Sequence, residues 1–248
     1  MHKSPWLSYF QRSENAKLAL ICFPYAGGGG HIFASWKDQL PPTVDIIAIN
    51  TPGRGARMME TPFRQMLPLV EALKPALLPI LNRPFVFFGH SLGAALAFEL
   101  ARSLRASNGP QPLKLIASGR RAPHVENDGP PIYHLPDAQF IEEIRKKKGT
   151  PEEVLQNDEL MALVLPMLKA DFEVADTHQY VVQAPFDFPI TYYWGEEDKP
   201  VNRNNDDAWG QHTCAEYQHH PLAGGHFFIH SAKEALLSRL SDELKHML

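Results

Sequence analysis

Five nearly unbroken apolar runs of strand length, at residues 18–23, 44–49, 85–88, 113–117 and 190–194, set the frame of this chain. Runs without polar alternation suit parallel strands covered on both faces, not strands with one wet face. Between them lie stripes at helical spacing: Leu67, Val70, Leu73, Leu77 and Ile80, then Ala94, Ala97, Phe98, Ala101 and Leu104. Strand alternating with helix builds an α/β domain around a mostly parallel, doubly wound sheet. A closing stripe, Leu236, Leu237, Leu240, Leu244 and Met247, is expected to seat a last helix on that sheet.

One connection is too long for a simple crossover. About 70 residues separate Ser118 from Ile190, whereas a parallel crossover needs roughly a dozen or more. An insertion over about 120–189 is therefore expected inside a single domain spanning 1–248. Asp137 is expected to cap a helix running to Lys148, and Leu160, Leu163, Val164, Met167, Leu168 and Phe172 share a face of a longer helical stretch that Pro166 should kink or divide. Late in such a sheet, this insertion would cover the carboxyl ends of the strands, where ligands bind, and it reads as a helical lid. Its Leu163, Met167 and Phe172 are expected to face inward and form a pocket.

Composition removes several classes of function. A formal net charge of −4 leaves no basic surplus for phosphate backbones, so no nucleic-acid partner is expected. No uncharged apolar stretch approaches the roughly 18 residues a membrane span needs, and the start lacks a signal peptide's apolar core. Two cysteines, Cys22 and Cys214, are too few for a disulfide framework or a zinc site, which fits a cytoplasmic setting. The acid-rich stretch from Asp198 to Asp207 lacks the alternating ligands and central glycine of a calcium loop, so no metal is expected.

Gly89-His90-Ser91-Leu92-Gly93 directly follows one strand run and directly precedes an alanine-rich helical stretch. This is G-x-S-x-G in its required context, with a turn so tight that side chains two residues either side of Ser91 would strike backbone. Ser91 would be held strained at a helix N-terminus, where partial positive charge favours a developing anion. A serine needs a base, and the base needs an acid to fix its tautomer. His226, on the glycine-flexed loop Ala223-Gly224-Gly225-His226 before the last helix, is the preferred base; His219, His220 and His230 stay open. His90 adjoins the serine in sequence but should point away from it and pack. Asp198, just past a strand run, is the preferred acid, with Glu196 and Glu197 as rivals. The chain order Ser, Asp, His is that of α/β-hydrolases.

Phe23-Pro24-Tyr25-Ala26-Gly27-Gly28-Gly29-Gly30 follows the first run and precedes a helix holding Phe33 and Trp36. As a dinucleotide loop it fails, because Ile32 stands where the third glycine belongs; as a P-loop it lacks Gly-Lys-Ser/Thr. As an oxyanion loop it works, and the backbone N–H groups of Ala26 and Leu92 are the expected donors.

Together with Pro52-Gly53-Arg54, Ser118-Gly119-Arg120-Arg121-Ala122-Pro123 and Gly195-Glu196-Glu197-Asp198, these segments resemble the motif series of type II thioesterases, from about residue 15 to 245. Those are free-standing α/β-hydrolases that accompany nonribosomal peptide and polyketide synthetases. The resemblance implies an α/β-hydrolase fold, nucleophile Ser91, acid Asp198, base His226, oxyanion donors Ala26 and Leu92, and no cofactor. It also implies removal of stalled or wrong acyl groups from the phosphopantetheine arm of a carrier protein. One departure is Tyr25, where many members carry His. Lys146-Lys147-Lys148 with Arg120, Arg121 and Arg145 could meet an acidic carrier surface, although a charge run is more often a solvated helix face. An esterase or lipase acting on oxoesters, an acyl-CoA thioesterase and a noncatalytic carrier-binding module are the alternatives.

Overall fold

The computed structural model describes residues 4–126, 129–147, 155–198 and 207–248. Lys148, and residues 199–206 of the acid-rich stretch, lie outside the described residues. Seven strands, β1 (Leu7–Gln11), β2 (Leu18–Phe23), β3 (Val44–Ile49), β4 (Phe85–His90), β5 (Lys114–Ser118), β6 (Ile190–Gly195) and β7 (Tyr217–Leu222), form one sheet ordered β1-β3-β2-β4-β5-β6-β7. Only β1 is antiparallel to its neighbour, β3; the other pairs are parallel.

The central strands bury both faces. Ala19, Ile21, Phe23 and Phe87 join one core with α1 (Met66–Leu77) and α2 (Leu92–Ala106). Leu18, Leu20, Cys22, Val86 and Phe88 join a second core on the opposite side. There Phe33 and Trp36 of the 3₁₀ segment Gly30–Asp38 pack alongside Leu236, Leu237, Leu240 and Leu244 of the terminal helix. Alternate residues thus point to opposite apolar layers, which is why the sequence shows continuous runs.

The insertion between β5 and β6 carries α3 (Asp137–Lys147) and α4 (Asp158–Thr177), which share a small core of Phe140, Ile144, Leu155, Met161, Leu165, Met167 and Leu168. Helix α4 runs through Pro166 as one element and is not divided there. Asp137 lies in the first turn of α3, not before it, and its carboxylate accepts from Lys169 Nζ. Leu163 departs from expectation more sharply: it is 59% exposed, while Met161, Leu165 and Leu168 turn inward. The buried face of α4 runs through Met161, Leu165, Leu168 and Asp171, leaving Leu160 and Leu163 at its outer side. Leu67 of α1 is exposed as well, since Met66, Leu69, Val70 and Leu73 form the buried face.

Strand order reverses between β2 and β4: β3 lies to one side of β2, and β4 through β7 to the other. The crevice at the carboxyl ends of strands flanking such a switch point is where doubly wound sheets bind ligands.

Candidate active site

Two chain segments leave the sheet at that crevice. One is the loop after β2; the other is the elbow from β4 into α2. Ser91 adopts φ 54, ψ −117, outside the regions open to an ordinary L residue. Strain of this kind costs on the order of 1–3 kcal/mol and persists only where the surroundings dictate it. Here they do: the Ser91 N–H donates to the Ser118 carbonyl at 2.8 Å, and its own carbonyl accepts from Ala94 N–H. A methyl added at Gly89 would stand 2.3 Å from the Gly93 carbonyl oxygen, and one at Gly93 would stand 2.1 Å from that of Phe23. Glycine at both positions follows from these approaches.

The opposite half of the site comes from the far edge of the sheet. Glu196 N–H donates to the Leu222 carbonyl and Glu197 N–H to that of Gly224, so the turn after β6 is stapled to the loop after β7. A methyl on Gly195 would lie 2.4 Å from the Gly225 carbonyl oxygen. The two loops press together because β6 ends without a side chain. Asp198 is buried at their junction, whereas Glu196 and Glu197 are exposed.

Between the halves, His226 Nε2 lies 3.0 Å from Ser91 Oγ and its Nδ1 lies 2.6 Å from Asp198 Oδ2. A carboxylate only accepts, so Nδ1 carries the proton, and the Nε2 lone pair faces the serine hydroxyl. The other histidines serve elsewhere: His219 stacks on Tyr217, His220 packs on Tyr193, and His230 Nε2 meets Tyr25 Oη at 2.8 Å. Tyr25 also sits edge-on to Phe227 at 5.1 Å, so the residue that departs from the family pattern braces the base loop.

His90 does more than pack. It is fully buried, its Nε2 lies 3.0 Å from the His226 carbonyl oxygen, and its Nδ1 lies 2.8 Å from Ser118 Oγ. Burial holds its pKa well below the ordinary value, so it is neutral. Nε2–H must donate to the carbonyl, and Nδ1 accepts from the serine. One imidazole therefore ties the elbow to the backbone of His226, a link that a histidine beside Ser91 did not disclose in the sequence.

Met167 and Phe172 do not line the cavity between α2 and the segment after β5. Met167 packs in the core of the insertion and against Gly53, and the Phe172 ring lies 5.4 Å from Phe140. A cavity of about 560 Å³ opens instead between α2 and the segment after β5, with Ala95, Phe98, Arg120, His124, Asp176, Tyr180 and Trp209 among its lining residues. Ala95 is one helical turn beyond Ser91. Sequence periodicity could not find this cavity, because most of its lining comes from irregular segments. Among the described residues, no group of three or more His, Cys, Asp or Glu could hold a metal ion, and no helix is long and apolar enough to cross a membrane.

Near the cavity, burial and then the charges of His124 and Arg102 push the pKa of His212 down to about 4 from an ordinary 6.5. Between those values the unfolded chain takes up a proton that the folded chain refuses, so stability rises with pH through the window. The melting temperature is therefore expected to fall as pH drops from 6.5 toward 4, and His212→Gln should flatten the slope. Thermal unfolding followed across that range is the check; parallel slopes for both proteins would remove His212 as a cause.

A strained serine on a strand-to-helix elbow at the switch point of a doubly wound sheet marks the α/β-hydrolase fold. The thioesterase domain family matches residues 19–244, and the chain belongs to it. It is 40% identical over its full length to "Linear gramicidin dehydrogenase LgrE" of Brevibacillus parabrevis, covering 96% of that protein. It is also 38% identical to "Gramicidin S biosynthesis protein GrsT" of Aneurinibacillus migulanus, over 98% of this chain and 95% of that one. Among solved structures, the type II thioesterase BorB from the borrelidin biosynthetic cluster superposes with a TM-score of 0.87 at 29% identity, over 99% of this chain and 98% of the other.

Proposed function

We propose that this chain clears stalled or aberrant acyl groups from the phosphopantetheine arm of carrier proteins in nonribosomal peptide or polyketide assembly, by way of a Ser91 acyl-enzyme. The relay from Asp198 through His226 to Ser91, at 2.6 and 3.0 Å, is the observation that carries this reading. His226 Nε2 takes the proton as Ser91 Oγ attacks the thioester carbonyl, and Asp198 holds the ring in the tautomer that makes Nε2 the base. The oxyanion is met by the N–H groups of Ala26 and Leu92. Collapse expels the pantetheine thiolate, which takes the proton from His226. A water deprotonated by His226 then attacks the acyl-enzyme, the bond from the acyl carbon to Ser91 Oγ breaks, Oγ takes the proton back from His226, and the acid is released. The acyl group is accommodated by the cavity beside Ala95, under the insertion as lid.

The dehydrogenase in the name of LgrE is not carried over, because Ile32 stands where a dinucleotide loop needs its third glycine. Two free thiols, Cys22 buried and Cys214 exposed, support a cytoplasmic setting.

Carrier docking supplies binding energy that can be used at the reacting centre. The same acyl group should therefore be cleaved with higher kcat/KM from a holo carrier protein than from coenzyme A or a simple thiol, and faster from any thiol than from the matched oxoester. Measuring these four donors side by side tests the reading. Equal rates on the three thioesters would remove the carrier protein, and a preference for the oxoester would make the chain an esterase.

A further inference from the structure

Pro52-Gly53-Arg54 has no part in the relay, yet Arg54 is buried and reaches across the site. Its guanidinium grips Asp171 of α4 with two bonds, Nη2 to Oδ1 at 2.7 Å and Nη1 to Oδ2 at 2.9 Å, and Nη1 also donates to the Gly28 carbonyl at 2.8 Å. Both side chains are nearly inaccessible, at 9% and 7%. Asp171 Oδ2 accepts one further bond, from the Gly27 N–H at 2.8 Å. One carboxylate on the insertion helix is thus joined to the loop expected to hold the oxyanion.

The geometry of that loop gives the contact its meaning. Gly28 N–H donates to the Tyr25 carbonyl at 2.9 Å, closing a turn with Ala26 and Gly27 at its centre. Gly27 has φ +78, the value a type II turn requires at its third residue. Type I and type II turns differ by a flip of the central peptide, and glycine at the third position tolerates both. The N–H carried by that central peptide is the one Asp171 holds. A methyl on Gly27 would lie 2.4 Å from Leu168 Cδ2, so α4 presses on the turn one helical turn before Asp171 as well.

We infer that Asp171, held by Arg54, is a positioning residue: by holding the Gly27 N–H it anchors the turn to the insertion helix, and with the turn it fixes the place of the preceding peptide, whose Ala26 N–H meets the reacting carbonyl. Seating of the insertion helix and assembly of the oxyanion site are then a single event, and a displaced helix leaves a serine with a base but with a disordered anion site. The inference rests on the hydrolase reading above.

The test uses the full-length enzyme with an acyl N-acetylcysteamine thioester as substrate. Active sites are counted by phosphonate labelling of Ser91, and an alkyl boronic acid mimics the tetrahedral intermediate. In Asp171→Ala, kcat per labelled site should fall by about 10²–10³, the loss expected for one oxyanion donor, with KM changed less than about threefold. Affinity for the boronic acid should fall with kcat, because its oxygen occupies the same site. Arg54→Lys keeps the buried charge paired but cannot fork onto the carboxylate and Gly28 together; it should lose about tenfold in kcat, also at constant KM. It decides the matter alone if Asp171→Ala does not fold. A purely structural role would lower the number of labelled sites and leave kcat per site and boronic acid affinity untouched, and that result overturns the inference. So does a loss confined to KM. A wild-type protein that neither labels at Ser91 nor cleaves thioesters would instead defeat the hydrolase reading, and the clamp with it.

Discussion

Ser91→Ala is expected to abolish thioester hydrolysis while leaving the fold and its melting temperature nearly unchanged. The hydroxyl is the only atom lost, and it lies at the site mouth, not in a packed core. Comparable triads lose on the order of 10⁶ in kcat when the nucleophile is removed, keeping about 10³–10⁴ over the reaction in water from the anion site and binding alone. Steady-state turnover on an acyl carrier protein, with circular dichroism to confirm the fold, checks this. A variant that keeps a substantial share of wild-type turnover would show that Ser91 is not the nucleophile.

Asp198→Asn should be nearly as severe, at about 10⁴ in kcat, for a different reason. The amide can present its NH₂ to His226, turning the ring to the tautomer in which Nε2 carries the proton and cannot act as base. Glu197→Gln should leave turnover near that of the wild type, since Glu197 is exposed and its backbone N–H, not its side chain, makes the bond to Gly224 that holds the turn. Parallel assays of the two variants settle which carboxylate acts. If Glu197→Gln were the damaging change, the acid would have to be reassigned.

The middle of the sheet was legible in the sequence, and its edges were not. Central strands bury both faces, so β2 and β3 appear as unbroken apolar runs with the observed ends, Leu18–Phe23 and Val44–Ile49. The outer strands escaped because an edge strand need not be apolar: β7 is Tyr-Gln-His-His-Pro-Leu, with Pro221 tolerated and most side chains partly exposed. That Ser91, Asp198 and His226 would lie together could be expected because the elbow has a fixed local context and such a set a fixed chain order. The Arg54–Asp171 pair joins positions 117 residues apart and has no local signature. Its visible traces were the Pro52-Gly53-Arg54 motif and an acidic residue, Asp171, set between Ala170 and Phe172 on α4. Leu163 was expected to face inward and does not, for a related reason, since spacing along α4 reports which residues share a face but not which way that face looks.

The division of the relay across the sheet has a consequence for the protein's birth. Ser91 is made early and rests on the core strand β4, but His226 lies 135 residues later, on loops that exist only once β6 and β7 have paired at the edge. On the proposed mechanism, a chain still short of His226 lacks the base that Ser91 needs and does not attack acyl thioesters. Competence would then arrive only with the loop after β7, and a chain cut before that loop would leave productive intermediates on the assembly line untouched.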